Sequence, residues 1–298
     1  METNTKFYDI AFIGHYTKDT IVSSTGIRVV DGGAFNYGAN VAVRMGLKVA
    51  AVTRLAEEDF HVVEKLKHLG VDVFAHISPQ STCLRLEYPT SDVDERVIYV
   101  TSSAGPFTPT QVEKIQARAI VVGASMRDEV SLQVIEKLSK KKTILSADVQ
   151  SFLRVDDNGK LVDKEWPAER NDIFACLDIL KTDAVEAGLL FGECDLYTAA
   201  KKMHDLGPKE VIITHREGLL VFADGKFYEE NFFPKEIIGR SGRGDTCIAS
   251  YTAKRLSASP KEATTWAAAV TSLKMEAEGP FQRTIKEVDN LILSKYKN

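Results

Sequence analysis

The chain has 298 residues, 44% hydrophobic and 27% charged, which allows a sizeable buried core and excludes a disordered chain. A formal net charge of -4, with no basic stripe, gives no footprint for nucleic acid, and no apolar run is long enough to span a bilayer. Cys83, Cys176, Cys194 and Cys247 are scattered without metal-ligand spacing, as in a reducing compartment, and no basic-then-apolar leader opens the chain, so a soluble cytoplasmic protein is expected.

Phe7 to Ile13 is an apolar run that stops at Gly14, the pattern of a buried parallel strand. His15 to Asp19 reads as a loop, which sets Asp19 just beyond the strand's carboxyl end, where open α/β sheets bind ligands. Short strands follow at Ile21-Val22 and Ile27 to Val30. Asp31-Gly32-Gly33 then leads into a helix from about Phe35 to Met45, closed by Gly46. Lys48 to Arg54 is a strand, Glu57 to Leu69 an amphipathic helix, and Val71 to His76 a strand. From Cys83 to Thr101 the pattern alternates on either side of a turn at Ser91 to Asp94. A hairpin with one exposed face does not suit a doubly wound core. Segments about 16–32 and 82–102 therefore read as a small inserted β-sheet lid, of the kind that excludes water from a reaction site.

After the lid the βα rhythm returns. Strands are expected at Ala119 to Val122, Thr143 to Ala147 (ending at Asp148), Leu177 to Leu180 and Val211 to Thr214. Helices are expected at Asp128 to Leu138, from Asp183 onward through Glu186, and at Leu196 to Leu206. Leu219 to Phe222 and Lys226 to Tyr228 form a hairpin around Asp224-Gly225, and the chain ends in helices at Asp245 to Arg255, Pro260 to Met275 and Thr284 to Leu293. No repeat or linker interrupts it, so residues 1–298 read as a single α/β domain with a mostly parallel central sheet.

The stretch with most chemical content is Gly242-Arg243-Gly244-Asp245. The glycines let backbone approach a ligand, and the helix that follows offers unpaired N–H groups and a dipole to an anion. A carboxylate beside such a hole suits phosphoryl transfer to a hydroxyl. Asp is equally a favoured N-cap, and Gly-x-Gly is ordinary turn material.

Three motifs in colinear order resemble the ribokinase-like (PfkB) carbohydrate kinase family. They are Gly32-Gly33 running through the helix to Gly46, Lys181-Thr182-Asp183-Ala184-Val185-Glu186, and Gly242-Arg243-Gly244-Asp245. The resemblance implies a three-layer α/β/α fold and an ATP-dependent kinase, with Asp245 as catalytic base and the backbone N–H groups of Gly242, Arg243 and Gly244 as the anion hole. It implies an acceptor held by Asp19, Gly32, Gly33, Asn36 and Tyr37, and a nucleotide against Lys181, Thr214, Gly218, Ser241 and Lys274. Asp183 and Glu186 would serve a magnesium ion through water, and a monovalent cation and a lid-mediated homodimer are both compatible with the family. The helix N-terminus and nearby cations are expected to lower the pKa of Asp245.

The departures narrow the substrate. Tyr37 stands where the family's sugar-binding Asn falls, Arg243 replaces the usual Ala, and Thr214-His215-Arg216-Glu217-Gly218 is one residue shorter than the nucleotide-site pattern. With Gly14-His15, Lys274-Met275-Glu276 and Gly279-Pro280-Phe281, they resemble the inositol-kinase-like branch, which implies a cyclitol such as myo-inositol as acceptor. Other sugars, sugar acids, nucleosides, or a noncatalytic sugar sensor of the same fold are the alternatives.

Overall fold

The computed structural model describes residues 6–24, 26–90, 96–165, 169–192 and 195–296. The expected turn at Ser91 to Asp94 and Cys194 lie outside the described residues. In chain order the elements begin with β1 (Phe7–Ile13), β2 (Thr17–Ser23), β3 (Gly26–Gly32), α1 (Ala34–Arg44), β4 (Val49–Leu55), α2 (His61–His68) and β5 (Asp72–Ile77). Next come β6 (Thr82–Glu87), β7 (Val97–Ser102), α3 (Pro109–Val112), β8 (Gln116–Val122), α4 (Leu132–Ser139), β9 (Ile144–Asp148) and α5 (Gln150–Leu153). The hairpin β10 (Arg154–Asp157) and β11 (Lys160–Asp163) precedes α6 (Arg170–Cys176), β12 (Ile179–Asp183), α7 (Ala184–Phe191) and α8 (Leu196–His204). The chain closes with β13 (Glu210–Thr214), β14 (Gly218–Ala223), β15 (Lys226–Asn231), α9 (Arg243–Arg255), α10 (Pro260–Met275) and α11 (Ile285–Lys295).

Among the described residues the strands form two sheets. The larger runs β15-β14-β13-β12-β9-β8-β1-β4-β5, parallel except at β14 and β15. Its two faces are buried alternately, as the period of a strand requires. Ala11 and Ile13 of β1 pack into one core with Val134, Phe174 and Met203, while Ile10 and Phe12 pack into another with Phe35, Val63 and Ile248. Helices therefore cover both faces, giving three layers. Capping boxes start four of them, Thr108 with Gln111, Asp183 with Glu186, Ser259 with Glu262 and Thr284 with Glu287.

The second sheet is the lid, ordered β10-β11-β7-β6-β2-β3. It differs from expectation in two ways. Asp19 lies within β2, paired opposite Val30 and beside Leu84, and not in a loop. The lid also gains β10 and β11, whose turn holds Asn158 at φ 53° and Gly159 at φ 85°. That Asn-Gly pair is a strong hairpin signal, overlooked in the sequence because it follows a buried strand and helix. Helix α4 begins at Leu132, four residues later than expected, after Asp128 adopts φ 71°.

The lid is tied to the core at named points. His15 Nδ1 lies 2.8 Å from Thr82 Oγ1, at the start of β6. Asp31 receives Tyr16, His61 and Lys65 at 2.8–2.9 Å. On the far side Arg28 donates to Glu278 at 2.7 Å, which brings β3 against the loop after α10.

Candidate active site

A cleft of about 580 Å³ lies between the lid and the carboxyl edge of the parallel strands. Gly123 follows β8, the strands β12 and β13 end at Asp183 and Thr214, and all three residues line it. This is the edge at which open α/β sheets hold ligands, because helix N-termini and loops converge there.

One wall is the start of α9. Gly242 occupies the N-cap with φ 75°, a left-handed conformation that glycine adopts freely. Thr246 N–H donates to Gly242 O at 2.9 Å, and Arg243 N–H donates to Arg240 O at 3.2 Å. The second bond closes the turn with the Arg243 N–H, one of the three N–H groups expected to form the anion hole. The first-turn N–H groups of Gly244 and Asp245 have no intrahelical partner, and both residues line the cleft with Gly242. The Arg243 side chain also lines the cleft, with Arg240, Arg216, Arg154 and Arg96.

Beneath this turn lies a buried ion pair. Lys181 Nζ donates to Asp148 Oδ2 at 2.8 Å, with both side chains nearly inaccessible. Burial pulls the Lys181 pKa down, but Asp148, Glu186 and Asp183 outweigh it and the ammonium is held protonated. A Cβ on Gly244 would stand 2.7 Å from Lys181 Nζ, so the absence of a side chain there lets the helix start rest on the ammonium.

Asp245 stands at the floor of the cleft, and its pKa is raised to about 6. Burial is the main cause and the charge of Asp148 the second, while Lys181, Arg154 and Lys274 act in opposition. The sequence-based expectation of a lowered pKa is thus reversed. Desolvation of the carboxylate and a second carboxylate nearby exceed the helix dipole and the cations.

The opposite wall belongs to the lid. Asp19 is 6% exposed, and its Oδ1 is buried without a hydrogen-bond partner. Its pKa is raised to about 7, chiefly by burial, with Thr17 and Arg96 opposing. Leu84, Leu86 and Ile98 flank it along the cleft. A Cβ on Gly32 would fall 2.3 Å from Thr17 Oγ1 and 2.6 Å from Asp19 Oδ2, so Gly32 makes room for Asp19 from behind the cleft wall.

Of the residues singled out from the sequence, Asp19, Gly33, Tyr37, Lys181, Asp183, Thr214, Ser241 and the 242–245 turn line the cleft. Asn36 turns away, donating from Nδ2 to Asp31 O at 3.1 Å and accepting from Asn40 at Oδ1. Gly218 is packed against β15, where a Cβ would meet Glu230 O at 2.2 Å. Lys274 lies behind the cleft, buried, its Nζ donating to Gly239 O and Ser241 O. Glu186 is buried under Asp183, accepting from the Asp183 N–H at 2.8 Å, and burial raises its pKa. Arg96, Arg154, Gly123 and Asp148 escaped the sequence reading. Asp148 carried a signal, as a carboxylate at the end of a parallel strand, whereas Arg96 precedes β7 and Arg154 opens β10, where no local pattern defines which way they face.

The pattern of pfkB family carbohydrate kinases matches residues 9–284 of the chain. A pyrophosphate-dependent kinase in the ribokinase family, solved in complex with a pyrophosphate analog and myo-inositol, is 34% identical; the match covers 94% of this chain and 99% of that one, with a TM-score of 0.86. A pyrophosphate-dependent myo-inositol-1 kinase converted by two substitutions into a myo-inositol-3 kinase is 33% identical, over 96% of this chain and 99% of that one, with a TM-score of 0.86. A cytidine kinase of Thermococcus kodakarensis is 29% identical over 259 residues, 82% of this chain and 87% of that protein. The ribokinase-like fold and the family expected from the sequence accord with these matches. The chain belongs to the pfkB family of carbohydrate kinases, phosphotransferases that act on a hydroxyl group.

Proposed function

We propose that the protein transfers a phosphoryl group to a hydroxyl of a cyclitol such as myo-inositol, with Asp245 as the base. The observation that carries this reading is the division of one cleft by Asp245. Cationic side chains and a helix N-terminus lie on one side, and Asp19 with Leu84, Leu86 and Ile98 on the other. A cyclitol has hydroxyls around its rim and C–H faces, which suit one buried carboxylate set among apolar side chains.

In the reaction, the acceptor hydroxyl gives its proton to the Asp245 carboxylate as its oxygen bonds to the transferring phosphorus and the leaving phosphate departs. A base with a pKa of about 6 suffices, because in a loose transfer the proton leaves late. The free N–H groups at the start of α9 and the buried Lys181 ammonium stabilise the charge on the transferring group. Magnesium fits the donor side: Glu186 Oε1 is buried without a hydrogen-bond partner, and Asp183 lines the cleft beside it. Both would hold the ion through water, and the ion would neutralise donor phosphate charge.

For the donor we favour pyrophosphate over the ATP expected from the sequence. Pyrophosphate has no base or ribose to bind, so its affinity must come from charge and hydrogen bonds. Lys181, Arg154, Arg216, Arg240 and Arg243 supply these in one cleft. Two similar structures are of pyrophosphate-dependent kinases. ATP is the second reading, because Val185, 76% exposed, gives the cleft an apolar rim suited to a nucleobase.

The test is a grid of both donors against cyclitols, hexoses, ketoses, sugar acids and nucleosides, read as phosphate release from pyrophosphate and ADP release from ATP. Turnover of myo-inositol with pyrophosphate is expected. Turnover of a nucleoside such as cytidine without inositol refutes the acceptor, and ADP release without use of pyrophosphate refutes the donor.

A further inference from the structure

Lys274 sits in the last turn of α10, 2% exposed, in a chain position that the reaction itself does not use. Its ammonium donates to Gly239 O at 2.7 Å and to Ser241 O, and it lies 5.4 Å from the centroid of the Tyr37 ring. The loop it holds is the one that leads into the anion-binding turn. We infer that Lys274 is a built-in cation that orients the anion site, in the place where an enzyme without it would need a monovalent ion from solution.

The physical argument runs through peptide geometry. In a planar trans peptide the C=O of one residue and the N–H of the next point in opposite directions. Drawing Ser241 O toward Lys274 therefore turns the Gly242 N–H to the other side, and Gly242 lines the cleft. Drawing Gly239 O the same way turns the Arg240 N–H outward as well. Two carbonyls and an aromatic face are ligands that a potassium or ammonium ion would accept.

The loop is braced on the same side by Ile238 N–H and Gly239 N–H, which donate to Met275 O at 2.9 and 3.1 Å. A side chain on Gly239 would collide with Ala277 O at 2.2 Å, so the loop lies tight against the end of α10. Burial lowers the Lys274 pKa to about 8, against Glu278 and Asp245, so the ammonium is predominantly charged at neutral pH. Lys274 is thus a positioning residue, acting on the reaction through the backbone it holds.

The inference rests on the phosphate-binding side of the proposed function, and two readouts keep them separable. Wild-type turnover is measured in potassium, sodium and tetramethylammonium chloride at matched ionic strength, and no dependence on the cation is expected. Lys274→Ala is expected to lower kcat about 100-fold, the scale of losing one oriented oxyanion donor, with the acceptor KM kept. Ammonium or methylammonium, entering the vacated space, should recover much of the loss, whereas Lys274→Met fills the space without charge and should not respond.

Binding of inorganic phosphate, followed by calorimetry, should weaken in Lys274→Ala and return with ammonium whatever the acceptor proves to be. A strict potassium requirement in the wild type overturns the inference, as does a folded Lys274→Ala enzyme of full activity in tetramethylammonium. If Lys274→Ala fails to fold, the wild-type cation series and phosphate binding across the same salts decide it. Absence of turnover on every acceptor, with cation-independent phosphate binding intact, counts against the proposed acceptors alone.

Discussion

The ring of Tyr37 occupies the space that a side chain on Gly242 would need: a Cβ there would stand 2.2 Å from Tyr37 Cε1. The two residues come from α1 and from the N-cap of α9, and their contact fixes how the turn at the start of α9 sits on the core. Tyr37 at the family's Asn position and Gly242 are therefore one feature. The aromatic ring is tolerated because its partner has no side chain.

Gly242→Ala should suffer twice, from the left-handed φ of 75° and from the Tyr37 ring. We expect a loss of stability above about 1 kcal/mol and a fall in kcat/KM of about 100-fold, as for a displaced oxyanion donor. Combining it with Tyr37→Ala relieves the collision, so the double variant should lose less than the sum of the singles. Kinetics and urea unfolding of the four proteins measure the coupling, and strictly additive losses would contradict it.

Asp245→Asn should lower kcat by about 10²–10⁴-fold, the range for a general base, while phosphate and acceptor still bind. In the wild type the carboxylate must be unprotonated to accept the hydroxyl proton. Activity should therefore rise with pH through a limb near 6 in kcat/KM. Asp19, raised to about 7, should add a second limb, with acceptor binding tightening as pH rises and its carboxylate forms. Asp19→Asn should remove that limb and leave the one near 6 in place. A pH profile unchanged by either substitution is the outcome that refutes both assignments.

The Lys181–Asp148 pair makes a stability prediction. Lys181→Met leaves the Asp148 carboxylate buried without its partner, a situation that costs about 3–5 kcal/mol. Asp148→Asn combined with Lys181→Met removes the stranded charge and should recover part of that loss. Urea unfolding checks both, and a single variant as stable as the wild type would show that the pair is not held as a buried ion pair.

Much of the fold was legible because the parallel strands are continuous apolar runs that end at Gly14, Asp148, Asp183 and Thr214, and because helices α10 and α11 carry their own capping boxes. Those signals are local, set by burial on both strand faces and by the unpaired N–H groups of a helix start. The lid was legible only in part. Its inner strands alternate visibly, but β10 and β11 are short, and the hairpin joins the lid through β11 and β7, a partner distant in sequence.

The sequence by itself determined the order of the motifs, and with it the family. The tertiary structure decided the electrostatics and the division of labour. Burial and Asp148 raise the Asp245 pKa that its helix position alone would lower, and Arg243 uses its N–H within the turn. The Lys274 ammonium is held by the backbone of the loop that precedes α9. Desolvation, like-charge proximity and the direction of a peptide plane depend on residues far apart in the chain, and these are quantities that only the folded arrangement sets.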